Sequence, residues 1–142
     1  MTMDLSKRAK ITSASTARWR GRPFSWGKAD CWMLAAAHLK AMGHGKVLPK
    51  VRHYRELTGA VRALREHGVR RVPDYLDTIP TITRLPSPAF ALPGDLVALP
   101  AEDSLGAICI YLGNGAVLGW HPDAEGCEVL IEVLEWEAAW RL

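Results

Sequence analysis

Among the 142 residues of the chain, Cys31 is the side chain whose setting most favours chemistry. It follows Asp30, and an aspartate at that place accepts hydrogen bonds from the free amides of a helix's first turn. It precedes a run of strong helix formers that reaches Met42, with Gly43 as a natural stop. A thiol in a helix's first turn faces the positive end of the dipole and several unpaired amides. Both favour the thiolate, the nucleophilic form of cysteine. A neighbouring histidine would complete a nucleophile–base pair. The competing reading is a small buried packing residue.

The other chemical groups point elsewhere. Cys109 falls inside an apolar strand and Cys127 at a strand start, both packing positions. Three scattered cysteines make no disulfide framework, and none pairs with another cysteine or a histidine at zinc-site spacing. The glycines form neither a phosphate loop nor a dinucleotide fingerprint, and no carboxylate pair stands out for acid–base work. No cofactor or metal is therefore expected. No stretch approaches the ~18 apolar residues of a membrane span, and the expectation is synthesis in a reducing cytoplasm.

Charge is unevenly spread. Residues 1–71 hold 16 Lys/Arg against 4 Asp/Glu, a balance of +12, and residues 72–142 hold 2 against 11, a balance of −9. Such a gradient can recruit an oppositely charged partner, unless the two halves interleave and cancel. The basic residues are not interleaved with aromatics in the manner of a nucleic-acid platform, and nucleic acid is not an expected partner.

The elements that must position Cys31 follow from pattern. Residues 1–21 read as a basic arm or short helix, and residues 22–142 as the folded domain. Phe24 and Trp26 read as core anchors of a structured loop before the central helix at 31–42, which is apolar nearly all round and hence buried. Tyr54, Leu57, Val61 and Leu64 form the stripe of an amphipathic helix over 53–67, and residues 74–79 a short turn. The prolines of 80–93 mark a crossing loop. Strands follow at 95–99, 107–112, 116–121 and 127–134, with Gly113–Asn114–Gly115 as a hairpin turn. Helices first and an antiparallel meander after make an α+β domain.

Three of these segments, in order, resemble the NlpC-type papain-like cysteine peptidases. Phe24–Ser25–Trp26–Gly27–Lys28–Ala29–Asp30–Cys31 is similar to the approach to their catalytic helix. Pro93–Gly94–Asp95–Leu96–Val97 is similar to the start of their first core strand, and Ile110–Tyr111–Leu112–Gly113–Asn114–Gly115 to the hairpin after their histidine strand. Short bacteriophage proteins of uncharacterised function, often encoded among tail genes, resemble the chain over nearly its whole length. They share the aromatic loop, a glycine-rich strand near Leu105–Gly106 and the ending Ala139–Trp140–Arg141.

The resemblance implies a papain-like domain with N-terminal helices packed on an antiparallel sheet. It also implies a virion tail component in contact with other tail proteins. In active relatives a histidine opens the strand into the hairpin; here Ala107 stands at that position, and the third polar residue of the set falls near Gly119. The expected role is therefore structural, with catalysis lost. The alternative is a peptidoglycan hydrolase with Cys31 as nucleophile and His121 as base. His38, two turns or about 10 Å along the helix from Cys31, is too far for a direct hydrogen bond.

Overall fold

Two aspartates set the first two helices. In the computed structural model, which describes residues 3–48, 50–100, 105–121, 125–131 and 135–142, the Asp4 carboxylate accepts from Lys7 N and opens α1, Leu5–Trp19. Asp30 does the same for α2, Cys31–Leu39, by accepting from Met33 N at 2.8 Å. The helical path continues through one wider turn, Lys40–His44, until Gly43 turns it with φ 99°. Helices α3, Leu57–Glu66, and α4, Val72–Leu76, follow.

Of the two readings of residues 1–21, arm or short helix, the structure shows the helix, α1, and one face of it is packed into the fold. Arg8, Thr12, Ser15 and Trp19 recur every three or four residues, so they share one face, and all four are buried. Lys7, Lys10, Arg18 and Arg20 lie exposed outside that face.

Among the described residues six strands form one antiparallel sheet in the order β1-β6-β2-β3-β4-β5. They are β1 Thr83–Arg84, β2 Leu96–Leu99, β3 Ala107–Gly113, β4 Ala116–Gly119, β5 Glu128–Leu130 and β6 Ala138–Arg141. The result is a single α+β domain. Alternation divides the sheet residues between two faces. Leu96, Ala98, Ile108, Ile110, Leu118 and Trp140 pack with Leu34, Ala35 and Leu39 of α2 in the main core. Val97, Cys109, Val117 and Ala139 form a smaller cluster on the opposite face.

Several expectations are corrected in detail. The loop of 80–93 contains β1, paired to the C-terminal strand, and β6 inserts between β1 and β2, where the pattern suggested no strand. Strand β5 ends at Leu130; residues 132–134 of the expected strand lie outside the described residues. In α3 the buried positions are Ala60 and Ala63, and Leu57 is 39% exposed. Phe24 is not a core anchor: it is 43% exposed and stacks edge-on with Trp26 at 4.8 Å and with Trp120 at 5.8 Å.

The charged halves do interleave in part, since Arg8–Asp95, Arg20–Glu128 and Arg71–Glu137 pair across them. The Gly-Asp motif explains itself at one of these pairs. Gly94 has φ +94°, and a Cβ there would stand 2.8 Å from Thr12 Oγ1. Asp95, fully buried, accepts from Arg8, Arg141 and the amides of Leu92 and Leu142.

Candidate functional site

The loop before α2 is held by its own backbone. Ser25 and Ala29 exchange both amide bonds at 2.8 Å, and Gly27, with φ +78°, donates its amide to Asp30 Oδ2 at 2.8 Å. A side chain at Gly27 would collide with the Tyr54 carbonyl, 1.9 Å from the Cβ position. Tyr54 Oη donates to the same Asp30 oxygen at 2.6 Å. Asp30, 1% exposed, thus has three donors: two backbone amides and one phenol. Burial, then the hydrogen bond and charge of Asp30, push the Tyr54 hydroxyl well above its usual range, so it stays protonated.

Removing that phenol is expected to cost about 1.5–3 kcal/mol, the worth of a hydrogen bond to a charged group. Tyr54→Phe in urea denaturation checks this. A loss below about 0.5 kcal/mol would mean that the two amides alone satisfy Asp30.

Cys31, the first residue of α2, is partly exposed, and its thiol donates to the Gly106 carbonyl at 3.8 Å, a long and weak contact. The helix start therefore faces the start of β3, whose first residue is Ala107. At position 119 a Cβ would lie 2.5 Å from Cys109 Sγ, so any side chain there would have to displace that cysteine. His121 is exposed just past the end of β4. Cys109 and Cys127 are buried. Burial raises both thiols, helped at Cys109 by the charges of Cys31 and Cys127 and at Cys127 by Glu128, so that Cys127 is pushed up to about 12. Cys31 is thus the cysteine a reagent meets first.

Beside Cys31 a small, mostly apolar pocket opens between α2, α3 and α4. Trp26, Trp32, Tyr54, His67 and Tyr75 line it, with aliphatic side chains such as Leu64 and Leu105. The loop aromatic Trp26, expected to be a core anchor, is a half-buried part of this wall. Tyr75 meets Trp32 edge-on at 4.9 Å and His67 at 5.3 Å. The pocket brings together Cys31 and His67; His121 is not among its lining residues. His67 was not a candidate in the sequence, since no spacing rule joins it to Cys31. It arrives there as the C-terminal cap of α3.

His38 lies in the core. Its Nε2–H donates to the Gly94 carbonyl and its Nδ1 accepts from the Ser15 hydroxyl, both at 2.8 Å. A carbonyl can only accept, so this pairing decides the tautomer.

Among the described residues no cluster of His, Cys, Asp or Glu is placed to hold a metal ion, and no helix is long and apolar enough to cross a membrane. A family described as a domain of unknown function (DUF6950) matches residues 3–142. No curated protein matches the chain.

Proposed function

The chain belongs to that family, and we propose that it is a bacteriophage tail component. Its papain-like domain then serves as a building block without hydrolytic activity. One observation carries the loss of activity. The Cys31 thiol meets the Gly106 carbonyl at 3.8 Å, and the next residue, where the NlpC-type peptidases place their histidine, is Ala107. Hydrolysis through a thioester needs a proton for the leaving amine and then a base to activate water. A methyl group supplies neither. The tail assignment rests on the resemblance to short phage proteins over the aromatic loop and the Ala139–Trp140–Arg141 ending. In this fold that ending is buried strand β6, with Arg141 donating to Asp95 at 2.9 Å.

A second reading has one observation in its favour. His67 shares the pocket with Cys31, so a cysteine hydrolase acting on peptidoglycan would draw its base from α3, with His121 as the other candidate. A muropeptide digestion assay separates the readings. The wild-type protein is expected to release no product. Cleavage that disappears in Cys31→Ser would overturn the structural role, and loss in His67→Ala or in His121→Ala would then identify the base.

The partner in the tail would meet the exposed basic face of α1. Replacing Lys7, Lys10, Arg18 and Arg20 together by glutamine should leave folding intact and lower incorporation into particles, as read by mass spectrometry of purified virions. Detection of the wild-type protein only in infected-cell lysate, and never in particles, would contradict a tail component.

A further inference from the structure

On α1 the residues Lys7, Lys10, Ala14, Ala17 and Arg18 are all exposed. Spacings of three and four residues align them as a stripe, on the side away from the buried Arg8, Thr12, Ser15 and Trp19. The stripe has cations at both ends and two alanines as its floor. Asp4 is the one acid among residues 1–29. The C-terminal half has the opposite character: residues 85–140 contain nine Asp/Glu and no Lys or Arg. Glu125 and Glu135 are exposed there, and Ile131, one residue past β5, is 70% exposed. Among the described residues none of Lys7, Lys10, Arg18, Glu125 and Glu135 pairs with an opposite charge.

The basic and acidic surfaces adjoin. Arg20, just after α1, pairs with Glu128, the first residue of β5, at 3.5 Å. Gly21 donates to the Cys127 carbonyl at 2.7 Å, and Cys127 donates to the Arg22 carbonyl at 2.9 Å. β5 is the outermost strand of the sheet, and a strand edge is a template for association. A surface that is basic on one side of a junction and acidic on the other complements itself after a half-turn, the condition for a two-fold contact.

We propose that two copies of this chain form a two-fold dimer, with the α1 stripe of each lying on the β5 end of the other. Lys7, Lys10 and Arg18 then face the Glu125 and Glu135 of the second copy. Its Ile131 rests on Ala14 and Ala17, whose small side chains allow close approach. The charges set the orientation and the isoleucine adds buried apolar area. Under the tail reading this names a partner for the exposed face of α1, yet it is a property of the purified chain and is read without particles.

Sedimentation velocity of the full-length protein tests the dimer. A Kd of about 10 µM is expected, as suits a small and largely polar contact. Raising salt from ~0.1 to ~1 M shortens the screening length from ~10 to ~3 Å and should weaken association about tenfold. Ile131→Ser should also weaken it about tenfold. Charge reversal gives the decisive comparison. One variant carries Lys7→Glu, Lys10→Glu and Arg18→Glu; the other carries Glu125→Lys and Glu135→Lys. Each alone should be monomeric with unchanged thermal melting, since every altered side chain is exposed. Mixed in equal amounts they should form a dimer, because both contacts again join opposite charges. A wild-type monomer at ~100 µM would overturn the proposal. So would a mixture that stays monomeric, or assemblies larger than a dimer. A monomer that still enters particles would end the dimer and leave the tail reading standing.

Discussion

Asp95→Ala is expected to remove about 3–5 kcal/mol of stability, the usual consequence of stranding one member of a buried ion pair. Arg8 is 1% exposed and Asp95 0%, and they meet at 2.6 Å. Arg8 spends its other donors on the main chain, reaching the Pro93 carbonyl at 3.1 Å and the Leu142 carbonyl at 2.7 Å. Asp95 also receives Arg141 and the amides of Leu92 and Leu142. One carboxylate thus joins α1, the start of β2 and the C-terminus. Its loss leaves a buried guanidinium and two amides without their acceptor.

A small domain has only about 5–15 kcal/mol in total, so the variant should unfold at far lower urea. Arg8→Ala should act similarly, and the double replacement should cost less than the two singles together, because they share one interaction. Deleting residues 1–20 removes Arg8 and Trp19 and should destabilise the domain as well. An Asp95→Ala midpoint within about 1 kcal/mol of wild type would show that the network contributes little.

The second large effect is a loss of stability in acid through His38. Burial is the main cause that lowers its pKa from 6.5 to about 4; the charge of Arg8 adds to it, while the bond to Gly94 and the charge of Asp95 oppose it. The sign follows from which state binds the proton. Between pH 6.5 and 4 the unfolded chain protonates this histidine and the folded chain does not. The contribution is therefore complete above pH 6.5, falls as the pH drops towards 4, and changes no further below. The span corresponds to roughly 3 kcal/mol. Urea midpoints measured from pH 7 to 5 exclude the carboxylates, which titrate lower. His44, which burial also lowers, shares the window, so the difference between wild type and His38→Gln assigns the slope. His38→Gln should flatten the slope in that range. A wild-type midpoint that stays constant from pH 7 to 5 would mean that His38 is already charged or solvated in the fold.

The local signals were legible because they act over a few residues. Asp30 as cap, Gly43 as the turn after α2, Gly113–Asn114–Gly115 as the hairpin and the apolar runs of β2 to β4 each depend on neighbours in sequence. The helix of residues 5–19 was half legible. Its polar, basic composition suggested a solvated arm, and nothing local shows that Arg8 will be buried, since its partner lies at position 95. Strand β6 was missed for the same reason: Ala138–Arg141 is too short to carry a pattern, and its place between β1 and β2 comes from pairing with both.

By itself, then, the sequence determined the α+β class, the cap that puts Cys31 at a helix start, and the absence of a histidine at position 107. Those depend on residue type and short-range geometry. Tertiary structure alone decided that His38 is a core residue bonded to Ser15 and Gly94, and that Phe24 lies outward while Trp26 turns to a pocket. It also decided that His67 and Tyr75 line the same pocket as Cys31. Each of those outcomes is a contact between residues far apart in the chain. The energy that selects it comes from burial and pairing across elements, which no window of neighbouring residues contains.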